Sequence, residues 1–388
     1  MTSVADKLRF EPCSLPPALT ALRAEVREFL ATSLTDMPMV KRSHSWEAYD
    51  AEFSAKLGAR GWVGMTLPTQ YGGHGRSAFE RYVVVEECLV AGAPTAFHWV
   101  ADRQSGPLLV RYATEAQKNT IIPQIAAGKA CFAIGMSEPN SGSDLASLRT
   151  RAEKTADGWR VNGTKIWTSN AHRANYMIAL FRTDADPNKK HAGLSQFLID
   201  LKTTQGITPR TIQNLAGGRN FNEVAFVDAE LPADALIGTE GQGWRQVTEE
   251  LAFERSGPER YLSCFLLLRM LIDQVKGHAS PATLARLGSQ VAWAATLRTM
   301  SLSIAAKLNA GQDPALEASV VKDLGCQFEQ ALPGLAQELC ELEPTLAGFG
   351  SDYQQVLGAL VQVAPSFSLR GGTPEIMRGI IAKGLGVR

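Results

Sequence analysis

The chain has 388 residues and six cysteines, Cys13, Cys88, Cys131, Cys264, Cys326 and Cys340, yet it contains no close Cys-x-x-Cys pair. That absence excludes a thiol redox motif and a zinc knuckle, and leaves reduced, mostly buried thiols as the expectation. Metal chemistry is equally thin: the six histidines show no ligand spacing and there is no His-Glu-x-x-His. A Walker A sequence is missing too, and GGHG and GGRN lack the third glycine and the strand-to-helix context of a dinucleotide fingerprint. No run of about 18 apolar residues occurs. The start, MTSVADKLRFEPCSLPP, has mixed charge and no apolar core, so export and membrane spanning are disfavoured and a cytoplasmic location is expected. Lys plus Arg is 39 and Asp plus Glu is 39. With no global charge to attract a polyanion, neither nucleic acid nor an anionic membrane is an expected partner, although a local basic patch stays open.

What is present is ordinary for a globular protein: 45% hydrophobic and 20% charged residues, with 34 glycines and 19 prolines. The length suggests two or three domains. From about Leu19 to Ala130 apolar residues return at three and four positions, as in LTALRAEVREFLATSL and FERYVVVEECLVAG, which predicts helices. Between them GWVGMTLPTQYGGHG cannot continue a helix and forms a loop that must approach its surroundings closely, its plainest role being packing. From about Cys131 to Gly238 the period changes to two around an Asn162-Gly163 turn, with strand-like runs NYMIALFRT, LSQFLID and NEVAFVDAELP, which predicts an antiparallel sheet or barrel. Asn162-Gly-Thr fits a glycosylation sequon but reads here as a hairpin turn. Helical periodicity then returns to the end. The expected fold class is α+β, with a helical domain over residues 1–130, a β-domain over 131–240 and a helical bundle over 241–388.

Four segments could carry chemistry. FAIGMSEPNSGSD bunches Ser137, Glu138, Ser141, Ser143 and Asp144 in one glycine-interrupted turn, where successive amides either form an anion-binding nest or merely cap a turn. KIWTSN places Trp167 and Ser169 on one strand face beside Thr168, suited to a planar heterocycle or simply to a sheet edge. Val247, Leu251, Glu254, Pro258, Tyr261 and Phe265 fall on one helical face, in which Glu254 is the single acid and Pro258 loosens the turn. A carboxylate on an apolar face has its pKa raised by desolvation and suits a general base, unless the adjacent Arg255 pairs with it. Finally, RGGTPEIMRGII sets two glycines before a helix that Thr373 can cap, exposing amides to a ligand or forming no more than a good cap.

These segments stand in the order and at the distances of one family. With LPTQYGG, SEPNSGSDLASLRTRAE, VNGTKIWTSNAHRANYM, GQGWRQVTEELAFERSG and GGTPEIMRGIIAKGLG, the chain resembles the acyl-CoA dehydrogenase flavoproteins from about Leu19 to its end. The resemblance implies helical, β- and helical domains in that order, with an antiparallel β-barrel in the middle and a four-helix-bundle-like domain last. It also implies an FAD per active site and usually a tetramer of paired dimers. Met136 and Ser137 would line the flavin pyrimidine, Ser143 would reach the FAD pyrophosphate or a phosphate of CoA, and Trp167 would cover the ring with Thr168 adjacent and Ser169 near N5. The implied reaction is α,β-dehydrogenation of an acyl-CoA to the trans-2-enoyl-CoA, with electron-transferring flavoprotein as acceptor.

Two departures shape the expectation further. Many members carry the base in Tyr-Glu-Gly-Thr before the last helix, where this chain has Arg370-Gly371-Gly372-Thr373. A branch that includes isovaleryl-CoA dehydrogenase is similar at Phe253-Glu254-Arg255 and carries the base there, so the resemblance implies Glu254 as base. Arg255 would neighbour the catalytic centre, and the Gly371 amide would face the thioester oxygen. The usual Arg-x-x-Phe-Gly and Gln-x-x-Gly-Gly stretches are not recognisable, as in heteromeric members acting on steroid CoA thioesters. The expected assembly is thus a homotetramer or homodimer, or a heteromer with a second dehydrogenase chain. The alternatives are an oxidase of the same fold and a structural subunit that binds acyl-CoA without oxidising it. Trp99 and Arg103 either border the pocket or are ordinary core.

Overall fold

A computed structural model describes residues 7–387 except 187, 189, 256 and 347; the side chains of 251–254 lie outside that description. In chain order come helices α1 (Leu19–Ser33), α2 (Met39–Arg42), α3 (Ala51–Ala59) and α4 (Ala78–Ala91), then a π-helical turn (Ala101–Ser105), α5 (Gly106–Tyr112) and α6 (Glu115–Ala126). Seven strands follow: β1 (Phe132–Gly135), β2 (Arg151–Lys154), β3 (Gly158–Lys165), β4 (Tyr176–Arg182), β5 (Leu194–Asp200), β6 (Ile207–Ile212) and β7 (Phe221–Pro232). The chain closes with α7 (Gly243–Glu254), α8 (Phe265–Val275), α9 (Pro281–Asn309), α10 (Ala315–Cys340), α11 (Asp352–Val363) and α12 (Pro374–Leu385). Among the described residues no helix is long and apolar enough to cross a membrane.

The chain divides into two compact units. One comprises Met1–Tyr49, Arg76–Thr95 and Ala252–Arg388, the other Asp50–Gly75 and Ala96–Leu251. In the first, the helices start and stop on local chemistry. Ser77 and Glu80 form a reciprocal capping box on α4, and Gly92 ends that helix in the left-handed region. Helix α10 buries Val321, Phe328, Leu332 and Ala336 along one side, the apolar stripe its periodicity predicted.

The second unit contains the sheet, ordered β1-β4-β2-β3-β7-β6 with β5 on β4. The expected antiparallel barrel is realised as a curled half-barrel. Most neighbours are antiparallel, while β1 and β2 pair with β4 in parallel. Phe132 of β1 and Ile178 of β4 share a core with Leu109, Ile121, Ile122 and Ile125 of α5 and α6, and Phe181 meets Phe197 and Phe226 across the sheet. The glycine-rich loop packs as expected: Gly64 donates its amide to Asp102 Oδ1 at 2.7 Å, and a Cβ there would stand 2.9 Å from the backbone of Ala126. Trp99 and Arg103 are both buried, the guanidinium 4.9 Å over the indole.

One expectation fails in the sheet. Asn162-Gly163 is not a hairpin turn but the interior of β3, where the register to β7 shifts between Val161 and Gly163. The turn lies earlier, where Thr155 N–H donates to Gly158 O. An Asn-Gly pair satisfies a bulge as well as a turn, because either needs backbone that glycine alone adopts freely. Gly163 has φ +142°, and a Cβ there would lie 2.6 Å from Thr150 Oγ1. Gly163→Ala is therefore expected to cost about 1–3 kcal/mol, read as a lowered urea midpoint. A change within about 0.5 kcal/mol, typical of neutral surface substitutions, would show that the bulge relaxes freely.

Candidate functional site

In the sheet unit the two segments singled out from the sequence lie side by side: Ile166 N–H donates to Ser137 O at 2.9 Å, and Lys165 Nζ donates to Met136 O at 3.0 Å. Lys165 is fully buried and also donates to Glu138 Oε1 at 2.8 Å. Burial pushes the Lys165 ammonium down to about 8, against the opposing pull of Glu138. Burial likewise disfavours the Glu138 carboxylate. Lys165 and the amides of Arg149 and Thr150, at 2.7 and 2.9 Å, outweigh that and hold it below the usual carboxylate range.

The turn over residues 137–144, expected either to nest an anion or merely to be capped, is partly tied up within itself. Glu138 N–H donates to Ser141 O and Ser141 N–H to Glu138 O, so these two amides satisfy each other, while the Glu138 carboxylate is held from outside the turn by Lys165 and the amides of Arg149 and Thr150. Asp144 pairs with Lys190 at 3.1 Å, and Ser143 is exposed on the outside of the turn.

Residues 166–170 are not a strand. Trp167 and Asn170 both have φ +59°, so the period-two face expected for Trp167 and Ser169 does not exist as such, although exposure still alternates around a buried Thr168. The Trp167 indole is 57% exposed and meets Phe221 edge-on, ring centres 6.0 Å apart. Thr168 is pinned by its backbone: its N–H donates to Asn222 O at 3.0 Å and its carbonyl accepts from Asn222 Nδ2 at 2.9 Å. Its Oγ1 is buried with no hydrogen-bond partner among the described residues. A left-handed tryptophan, an exposed indole and an orphaned hydroxyl on consecutive residues each cost free energy, about 1–3 kcal/mol for the strained backbone and for the hydroxyl alike. Such costs persist where a ligand offsets them. A planar heteroaromatic group with a hydrogen-bonding edge matches this flat indole beside a free hydroxyl.

Helix α7 stops at Glu254, and the continuous helical face expected from Val247 to Phe265 does not form. Gly257 is extended (φ −99°, ψ 173°) before Pro258, which starts a short 3₁₀ turn. A side chain at Gly257 would collide with the Glu259 carboxylate. The expected kink is thus a full break. Whether Glu254 stands in an apolar stripe, or pairs with Arg255, falls on side chains outside the described residues.

Two of the three predicted catalytic residues are brought together: Arg255, buried, donates from Nε to Gly371 O at 2.9 Å. The Gly371-Gly372 turn is left-handed at both residues, φ +66° and +100°. Lys322, fully buried, donates to Ser368 O at 3.2 Å and to Gly372 O. Arg370 pairs with the fully buried Glu329 at 3.0 Å and lies 4.3 Å over the ring of Trp46. Burial pushes the Glu329 carboxyl up, with Arg370 opposing. Thr373 caps α12 through Ile376 N–H, as its sequence position predicted. Three cations therefore hold the turn.

Lys165, Asn222, Lys322, Glu329 and Trp46 were not foreseen. They are dozens of residues from the groups they hold, and no local spacing marks such pairs. The one available signal was Lys165 itself, a charge in an otherwise inward-facing strand position.

Comparison with known proteins gives this arrangement a context. The acyl-CoA dehydrogenase N-terminal domain matches residues 16–129 and the acyl-CoA dehydrogenase middle domain matches residues 133–229. Acyl-CoA dehydrogenase FadE26 of Mycobacterium tuberculosis is 30% identical over 95% of this chain and 96% of that protein. A solved structure described as the Tcur3481-Tcur3483 steroid ACAD superposes with a TM-score of 0.85 at 28% identity, over 97% of this chain and 99% of that one. For the ChsE4-ChsE5 complex from Mycobacterium tuberculosis the TM-score is 0.82 at 28% identity, over 97% and 99%. Matched across its helical and sheet regions and along nearly its whole length, the chain belongs to the acyl-CoA dehydrogenase family of oxidoreductases.

Proposed function

We propose that this protein catalyses FAD-dependent α,β-dehydrogenation of an acyl-CoA thioester to the trans-2-enoyl-CoA, with Glu254 removing the α-proton. The observation that carries the flavin is the exposed Trp167 beside the orphaned Thr168 hydroxyl. The bound FAD supplies the hydride acceptor at flavin N5. With FAD bound, Trp167 would cover the ring, Thr168 and Ser169 would donate to its edge, and Met136 and Ser137 would line its pyrimidine side. Ser143, exposed on its turn, suits a phosphate of FAD or of CoA.

The protein's own work is proton transfer and charge stabilisation. Gly371 N–H donates to the thioester oxygen and favours the enolate that forms as the proton leaves; a donor of this kind is worth about 10²–10³ in rate. Arg255, bound to the Gly371 carbonyl, positions that amide rather than touching substrate. With glycine at 371 in place of the usual glutamate, a bulky acyl group has room. The description of one similar structure as a steroid ACAD, and of both similar structures by paired chain names, supports a steroid-like thioester and a heteromer with a second chain as a specific version of this reading. A homotetramer or homodimer is the alternative assembly, and electron-transferring flavoprotein the acceptor.

The purified protein, alone or with its partner chain, is expected to be yellow and to bleach anaerobically with one class among short, branched, aromatic and steroid CoA thioesters. Peroxide formation equal to turnover would make it an oxidase. Absence of flavin in both preparations would reduce it to a structural subunit. Thr168→Val gives a test with opposite signs. The apoprotein should gain about 1 kcal/mol, since a hydroxyl without a partner is removed, while flavin affinity falls. Unchanged flavin retention would remove Thr168 from the site.

A further inference from the structure

The helical unit carries an open groove of about 880 Å³ between α1, α4, α8 and α9, within the ~300–1,000 Å³ typical of small-molecule sites. Its walls are apolar, with Leu30, Leu34, Phe265 and Leu268 inside and Ile272 and Val291 exposed on the rim. Its charges do not balance: five arginines line it against two glutamates, Glu86 and Glu87.

Those glutamates are satisfied. Glu86 accepts from Arg23 at 2.7 Å and Arg298 at 2.6 Å, and Glu87 from Arg27 at 2.7 Å and from Arg23. Three arginines are thereby accounted for. The remaining two, Arg42 and Arg269, converge on the C-terminus of α4. Arg42 donates to Ala91 O from Nε at 2.9 Å and Nη2 at 2.6 Å, and Arg269 donates to Val90 O at 3.3 Å. Neither has a carboxylate partner among the described residues. Two guanidiniums on adjacent carbonyls repel each other. Burial and then the Arg269 charge push the Arg42 pKa down. An anion between them would relieve that repulsion, and a carboxylate matches guanidinium geometry.

We propose that this groove is a binding site for an amphipathic carboxylate, its hydrocarbon body along the apolar walls and its head group shared by Arg42 and Arg269. The site lies wholly within one unit, uses none of the residues assigned to dehydrogenation, and does not depend on that assignment. Neutral amphiphiles leave the two cations unmatched, and cationic ones add to the surplus charge.

Isothermal titration with dodecanoate and dodecanol tests this on the intact protein. Dodecanoate is expected to bind at least about tenfold more tightly than dodecanol, the equivalent of one charge-assisted contact. The R42Q/R269Q pair should remove that preference, and Val291→Trp on the exposed rim, which leaves the core intact, should block dodecanoate. Anaerobic flavin bleaching should be unchanged in both variants. Absence of dodecanoate binding would overturn the proposal, as would equal affinity for the two amphiphiles. So would unaltered dodecanoate binding in Val291→Trp together with a changed mass by light scattering, which would make the groove a contact with a second copy.

Discussion

Glutamine at position 254 is expected to leave flavin binding intact and to slow substrate-dependent bleaching by about 10²–10⁴-fold, the usual contribution of a positioned general base. The amide is nearly isosteric with the carboxylate, so packing and cofactor retention should be preserved while the proton acceptor is lost. No other acid stands at the position many relatives use, because residues 371 and 372 are glycines. Arg370 does not substitute for it, being committed to Glu329 and stacked on Trp46. The measurement is the single-turnover bleaching rate of the glutamine variant at equal flavin content. A rate within a few-fold of the parent would end the assignment of Glu254 as base, while the dehydrogenase reading would survive on the flavin signal.

Glu138→Gln should destabilise the sheet unit by about 3–5 kcal/mol, because it strands the Lys165 ammonium in a fully buried position. The Lys165→Met variant should lose a comparable amount, leaving the carboxylate without its ion-pair partner. The double variant should recover part of the loss, since neither charge then remains buried alone. Urea midpoints of the three variants measure this. Additive losses would show that the two groups do not act as a pair.

The pH dependence has a definite sign. Native Lys165 releases its proton near 8, whereas the unfolded chain holds it to about the ordinary lysine value of 10.5. Between those values the unfolded state binds more protons, so the parent gains stability relative to Lys165→Met as pH rises. Glu138 acts in the other range. Its carboxyl lies below the ordinary 4.5, so its contribution is present above that value and is lost as pH falls through it.

How much of this was legible differs by element. Helix α4 is legible because its apolar residues return at three and four positions within the segment itself, and Thr373 before α12 because a cap is satisfied within one turn. Asn162-Gly163 was misread because glycine serves a bulge and a turn equally, and only pairing with β7 distinguishes them. The Val247–Phe265 face was misread because a period of three and four persists in sequence across a break made by Gly257 and Pro258.

The sequence by itself determined the class of fold, the family, and which short segments matter, since these depend on residue type and local spacing. Tertiary structure alone decided what holds those segments. Lys165 and Glu138 lock the 136–138 turn, Asn222 fixes Thr168, and Arg255, Lys322 and Arg370 clamp the glycine turn at 371. Buried charges and backbone carbonyls find one another through the low dielectric of a packed interior, over separations in the chain that carry no periodic signal. Such partners become visible only once the chain has folded.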